Sequence, residues 1–385
     1  MTGLRHGEAA FDVSTEHLRT LASGLENWAR HLENCAARAR SALQVHVVPP
    51  LAALEKIAEV SAGLARRARS DARIITNLAQ RYELNERQGQ NLWQFVATAL
   101  DPAAVGTSLI AGLVAFAHPT SRSVSFFRQT MTPVTEQFSR SIVATGARPS
   151  RHPAHLISTH PVSEEPCRPP ASMVDLISRI PPVAADKPQV RVERTPTTAF
   201  VYIGGTVTSA LNGGNEPWDM TSNLVAIGGH PSDSEVGVRK VMQSPAVTSA
   251  DNVVVVGHSQ GGLIAQRVTA LGNSNVSDLV LVGAPTARVE MPAGVRVVAI
   301  ENTNDPVPAL GGQTPPGKVD VTFRRDAPVT SHDPLGAHHL PSYRATAQAF
   351  DASTSPALRS TERQLFAIRP AEVCVATDWR VDRSS

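Results

Sequence analysis

The run Val253-Val254-Val255-Val256 leads without a break into Gly257-His258-Ser259-Gln260-Gly261-Gly262. Four consecutive β-branched residues predict a strand covered on both faces, because such a strand loses the alternation of apolar and polar positions. The residues that follow, Leu263 to Leu271, carry a helical apolar pattern. Strand, Gly-flanked turn and helix together predict a sharp elbow that lifts the Ser259 hydroxyl above a sheet. A Cβ at position 257 or 261 would collide with so tightly folded a backbone, which accounts for the two glycines. The pentapeptide Gly-x-Ser-x-Gly alone is a weak signal; its setting between a buried strand and a helix makes it a strong one.

The rest of the chain predicts two kinds of structure. From residue 11 to about 100 the pattern is helical. Leu18, Leu21, Leu25, Trp28, Leu32 and Cys35 form one apolar stripe, and Leu54, Ile57, Leu64, Ala68, Ile75, Leu78 and Tyr82 form a second. Pro49-Pro50 breaks the helix between them, so an antiparallel hairpin is expected. The arginines at 66, 67, 69 and 73 are read as a solvated face. Ala103 to Ala117 is the most lipid-like segment, but it falls short of the roughly 20 residues a spanning helix needs. A buried helix is expected there.

Ten prolines fall between Pro149 and Pro196, which reads as an extended linker interrupted by one short helix at Met173–Ile180. Beyond it strands and helices alternate. Phe200–Ile203, Val253–Val256, Leu279–Val282 and Val295–Ile300 are strands, with Val319–Phe323 as an outer one. Helices are expected at Met220–Ile227, Val236–Met242 and Tyr343–Phe350. Alternating βα units imply a mostly parallel sheet with helices on both faces. The expected division is a helical domain over 1–147, a Pro-rich linker over 148–171 and an α/β domain over 172–385.

Composition excludes little but is consistent. The chain of 385 residues is 42% hydrophobic and 18% charged, with a formal charge of +2 and 4% aromatics. Neither a basic surface nor a base-stacking platform for nucleic acid is indicated. Cys35, Cys167 and Cys374 are widely separated and odd in number, and they read as incidental thiols. No apolar leader follows Met1, so a cytoplasmic protein, or one exported without a cleavable signal peptide, is expected, with no transmembrane span.

A serine hydroxyl needs a base and a group to orient that base. The order expected after an elbow is serine, acid, histidine. Asp305, in the loop after the strand Val295–Ile300, is the candidate acid, with Glu301 as the alternative. The candidate base lies in Ala337-His338-His339-Leu340, ahead of the last helix: His338, with His339 or His332 in its place. An oxyanion would be held by backbone amides, one from Gln260 and one from Gly204-Gly205-Thr206, where Thr206 is better placed than Gly205. No histidine pair has ligand spacing with a carboxylate, so neither a metal nor another cofactor is expected.

These segments, together with Pro217-Trp218-Asp219-Met220-Thr221-Ser222-Asn223, resemble those of bacterial α/β-hydrolases. The resemblance is to the compact lipase and esterase type, similar to GPI-inositol-deacylase-like enzymes, and it covers residues 172–350. It implies hydrolysis of small-molecule or lipid carboxylic esters through an acyl-serine. Residues 217–223 suggest no chemistry of their own beyond Asp219 as a helix N-cap. The helical half resembles, in size and layout, the WXG-type hairpins of type VII secretion, and it suggests a protein partner for the N-terminal helices. Two further readings use the same residues: a thioesterase or acyltransferase, and a secretion-linked interaction protein whose hydrolase fold is silent.

Overall fold

The computed structural model describes residues 118–145, 156–210, 213–315, 317–327, 333, 335–366 and 373–384, together with parts of 23–41, 55–76 and 108–116. Two compact units are present, Met1–Thr98 and Ala99–Ser385. In the first, residues 29–41 and 58–66 are helical, and the buried positions are alanines: Ala29, Ala36 and Ala39 on one stretch, Ala58 and Ala65 on the other. Cys35, placed in the expected stripe, is exposed. Arg69 Nη2 donates to Glu33 Oε2 at 2.6 Å, while Arg66 and Arg73 are exposed. His332, the Pro49-Pro50 break and the stripe positions Leu18, Leu21, Leu25, Trp28, Leu54, Ile57, Ile75, Leu78 and Tyr82 lie outside the described residues.

The second unit opens with α1 (Ser121–Thr145) and continues as β1 (Ile157–Cys167), α2 (Met173–Ser178), β2 (Val190–Arg194), β3 (Thr198–Ile203), α3 (Met220–Ile227), α4 (Asp233–Met242), α5 (Pro245–Thr248), β4 (Asn252–His258), α6 (Gln260–Ala270), β5 (Val276–Val282), β6 (Arg296–Asn302), β7 (Val321–Arg325), α7 (Leu340–Asp351), α8 (Pro356–Leu365) and β8 (Cys374–Arg383). One eight-stranded sheet runs in the order β1-β8-β2-β3-β4-β5-β6-β7. From β3 to β7 every pairing is parallel, and β1, β8 and β2 pair antiparallel at the other end. This is the α/β-hydrolase-type sheet the sequence predicts.

The valine run is buried on both sides for a visible reason. Val253 and Val255 join the core beneath α4 and α6, while Val254 and Val256 join the one beneath α2, α7 and α8. Successive strand residues point to opposite faces, so a strand clad on both sides is apolar at every position.

The expected linker requires correction. Residues 157–167 form β1, paired along its length with β8. Proline is tolerated because β1 is an edge strand, with one ladder only, and the register shifts between Pro161 and Ser163. The thiol reading is corrected too. Cys167 stands opposite Cys374 in that ladder and is disulfide-bonded to it across 207 residues of sequence. The short helix expected at 173–180 is α2; the Asp351 carboxylate accepts its first amides, Met173 N at 2.9 Å and Val174 N at 3.0 Å.

α1 is likewise built into this unit rather than into a separate helical domain ending at 147. Its Arg128 pairs with Glu301 at 3.2 Å, Ser121 donates to Asp326, and Thr132 Oγ1 accepts from Gln313 N at 2.9 Å. Phe127 packs with Ala111, Ala115 and Ala309. The described contacts of α1 therefore fall on the C-terminal end of β6 and on the loops that follow β5, β6 and β7, the first of these through Arg288, which donates to Thr135 Oγ1 at 2.9 Å. Among the described residues no helix is long and apolar enough to cross a membrane.

Candidate active site

Ser259 sits between the last residue of β4 and the first turn of α6 at φ 54°, ψ −123°, a backbone conformation that side-chain-bearing residues rarely adopt. The turn is this tight because the strand must reverse into the helix at once. A Cβ on Gly257 would overlap the Gly261 carbonyl, and one on Gly261 would overlap the Ile203 carbonyl of the neighbouring strand. The serine side chain is thereby raised at the C-terminal edge of the parallel strands, where open α/β sheets keep their reactive groups.

Two of the expected residues meet it there. Asp305 lies in the loop after β6, and His338 in the 3₁₀ turn before α7. His338 Nε2 is 2.9 Å from Ser259 Oγ, and its Nδ1 is 2.7 Å from Asp305 Oδ2. A carboxylate only accepts, so Nδ1 carries the imidazole proton and Nε2 faces the hydroxyl as an acceptor. Asp305 is fully buried. Its Oδ2 also accepts from the Tyr343 hydroxyl at 2.6 Å, and its Oδ1 accepts from Val307 N at 2.9 Å. Burial, reinforced by pairing with Asp305, holds the Tyr343 hydroxyl well above its usual titration range, so it remains a donor.

The alternatives are placed elsewhere. Glu301 is engaged by Arg128 and by Arg324 Nε at 2.9 Å, and the structure does not bring it to the imidazole. His339 points outward to Asp333, 3.4 Å away, with its side chain more than half exposed.

Three residues hold this arrangement that the sequence reading did not single out. Asn302, fully buried, donates from Nδ2 to the Ala337 carbonyl at 2.6 Å and accepts from Thr346 Oγ1 at 2.6 Å. His258, the variable residue before the serine, donates from Nε2 to the His338 carbonyl at 2.9 Å. Its ring stacks on that of His338 with centroids 4.8 Å apart. Burial, reinforced by the neighbouring His338, pushes the His258 imidazole down to about 3, so it stays neutral and adds no charge beside His338. Tyr343 is the third. Their only sequence signal is position: one ends the strand that leads to the acid, one precedes the serine, and one lies in the first turn of the helix after the histidines.

The Gly204-Gly205-Thr206 loop borders Ser259 directly. A Cβ on Gly205 would lie 3.2 Å from Ser259 Cβ and 3.1 Å from His258 Nδ1, so a larger residue here would crowd the serine. Gln260 opens α6, where the first amides have no partner within the helix. The serine thus has the backbone of this loop and the start of α6 beside it and an imidazole at its hydroxyl. Among the described residues, the one group of three metal-ligating side chains that converges is Cys167, Glu193 and Cys374, and its two sulfurs are bonded to each other.

A family model described as alpha/beta hydrolase matches residues 232–310, a span that includes the elbow and the acid loop. No curated protein and no solved structure matches the chain.

Proposed function

We propose that this alpha/beta hydrolase domain cleaves carboxylic esters by serine catalysis, with Ser259, His338 and Asp305 as its triad. The observation that carries the reading is the continuous hydrogen-bonded relay from Asp305 Oδ2 through His338 to Ser259 Oγ. His338 Nε2 takes the hydroxyl proton as Ser259 Oγ bonds to the carbonyl carbon. The Gln260 and Thr206 amides receive the negative oxygen, with Gly205 giving that loop its close approach. His338 then passes the proton to the departing alcohol. Water, deprotonated by the same imidazole, releases the acid and restores the serine. Asp305 keeps the imidazole in the tautomer this cycle requires.

Small-molecule or lipid esters are the proposed substrates, and the N-terminal helices are proposed to bind a protein partner. The Cys167–Cys374 disulfide supports export over a reducing compartment, because such bonds persist where thiols are oxidised. A fluorophosphonate probe tests the chemistry. One adduct per chain, mapped by mass spectrometry to the peptide carrying Ser259, is expected; an unlabelled protein, or an adduct on another serine, overturns the proposal.

Tyr343 supplies a finer test. Hydrogen bonds to a charged partner contribute about 1.5–3 kcal/mol. If only part of that is expressed in the transition state, Tyr343→Phe lowers kcat/KM for a p-nitrophenyl ester by about tenfold. Unchanged kinetics in Tyr343→Phe would remove this hydroxyl from the machinery that holds Asp305.

A further inference from the structure

The segment Trp218–Asn223 offers no chemistry when read as sequence, yet it touches the oxyanion loop from every side. Trp218 is fully buried, and its Nε1 donates to the Gly204 carbonyl at 3.0 Å. Its own carbonyl accepts from Val207 N at 2.9 Å and from Thr208 N at 3.2 Å. The loop is therefore held both before and after Gly205-Thr206 by a single residue. Between those points, Asn223 Nδ2 donates to Thr206 Oγ1 at 2.9 Å. The residue that carries the other expected amide touches the segment through its side chain. The Gln260 side chain extends from Nε2 to the Asp219 carbonyl at 3.5 Å and to Ser234 Oγ at 3.3 Å.

The segment is itself fixed. Asp219 caps α3 by accepting from Ser222 N at 2.8 Å, as the sequence suggests. Its other oxygen accepts from Gly213 N at 3.0 Å and from Arg383 Nη1 at 2.8 Å. Arg383, almost wholly buried on β8, also donates to Asp233 Oδ2 at 2.7 Å and to the Glu216 carbonyl at 2.8 Å. A segment tied down by a buried ion pair and bonded to both halves of a prospective oxyanion site can fix where those amides point. Such aim matters, since preorganised donors stabilise a developing charge only at the position that charge will occupy.

We infer that Trp218 and Asn223 are positioning residues that hold the Thr206 amide on the oxyanion formed at Ser259. The inference rests on the serine-hydrolase reading above. Asn223 acts through the Thr206 hydroxyl, so the two should behave as one unit. In the full-length protein, Asn223→Ala and Thr206→Val each lower kcat for a p-nitrophenyl ester by about 10- to 100-fold with KM held within twofold. The double variant loses no more than the worse single one. Trp218→Phe keeps the packed ring, removes the Nε1 donor, and shows the same kcat-directed loss.

A role confined to stability would lower Tm and the active fraction, leaving the kcat per labelled serine unchanged. Normalising to fluorophosphonate-labelled protein separates the two. If Asn223→Ala does not fold, Thr206→Val and Trp218→Phe carry the same comparison from the other side of the contact. A wild-type kcat in the variants, or losses that multiply in the double variant, overturns the clamp alone. A wild-type protein that neither turns over ester nor takes the probe overturns the hydrolase reading and the clamp with it.

Discussion

Ser259→Ala is expected to lose at least about 10⁴-fold of kcat/KM toward p-nitrophenyl esters while the protein melts within a few degrees of wild type. The large effect follows from chemistry, since alanine offers no oxygen to accept the acyl group and no other hydroxyl can enter so constrained a turn. The small effect on stability follows from packing. The strained backbone at φ 54° is imposed by Gly257 and Gly261 and by the strand behind them, not by the serine side chain, whose partner is His338 Nε2. Circular dichroism and a thermal melt, read beside initial rates, check both halves. Residual turnover near the wild-type level, with the fold intact, would move the nucleophile to a different residue.

The second large effect concerns where the hydrolase unit begins. A fragment starting at residue 172 is expected to lose turnover and to melt more than about 10 °C below the full chain, if it folds at all. It lacks β1 and thereby exposes the ladder edge of β8. It also loses the Cys167–Cys374 bond, a contribution of about 2–5 kcal/mol in small domains. At this size each kcal/mol moves Tm by roughly 2–4 °C. The fragment loses α1 too, and with it Arg128 on Glu301 at the end of β6 and Thr132 on Gln313 in the loop that carries Asp305. A fragment starting at Ala99, the first residue of the unit, keeps all of these and is expected to match the full chain in Tm and kcat/KM. Equal behaviour of the two fragments would show β1 and α1 to be dispensable.

What could be read from the sequence was what local physics dictates. The valine run, the elbow and the parallel strands each announce themselves within a few residues, and the loops after them put Ser259, Asp305 and His338 in serviceable order. Long-range pairing was illegible. β1 and β8 find one another across about 200 residues, and nothing in Cys167 or Cys374 alone betrays that they face each other. Prolines misled for the same reason, because their tolerance depends on β1 being an edge, a fact of topology rather than of composition. The supports of the site escaped as well. Asn302, Tyr343 and Trp218 act through hydrogen bonds to carbonyls or carboxylates whose owners lie 14 to 38 residues away, so their identities become informative only after the chain is folded.

The covalent tie between β1 and β8 gives the unit an unusual response to cleavage. A protease that cuts once at any surface loop between Cys167 and Cys374 opens the chain but releases no piece. Nicked and whole protein then migrate together on a denaturing gel without reductant and separate when thiol is added. The Asp305 loop, the elbow and the His338 turn all lie inside this closed ring of polypeptide. A nicked molecule therefore keeps Ser259, Asp305 and His338 on one covalent body, where an uncrosslinked domain would fall into halves.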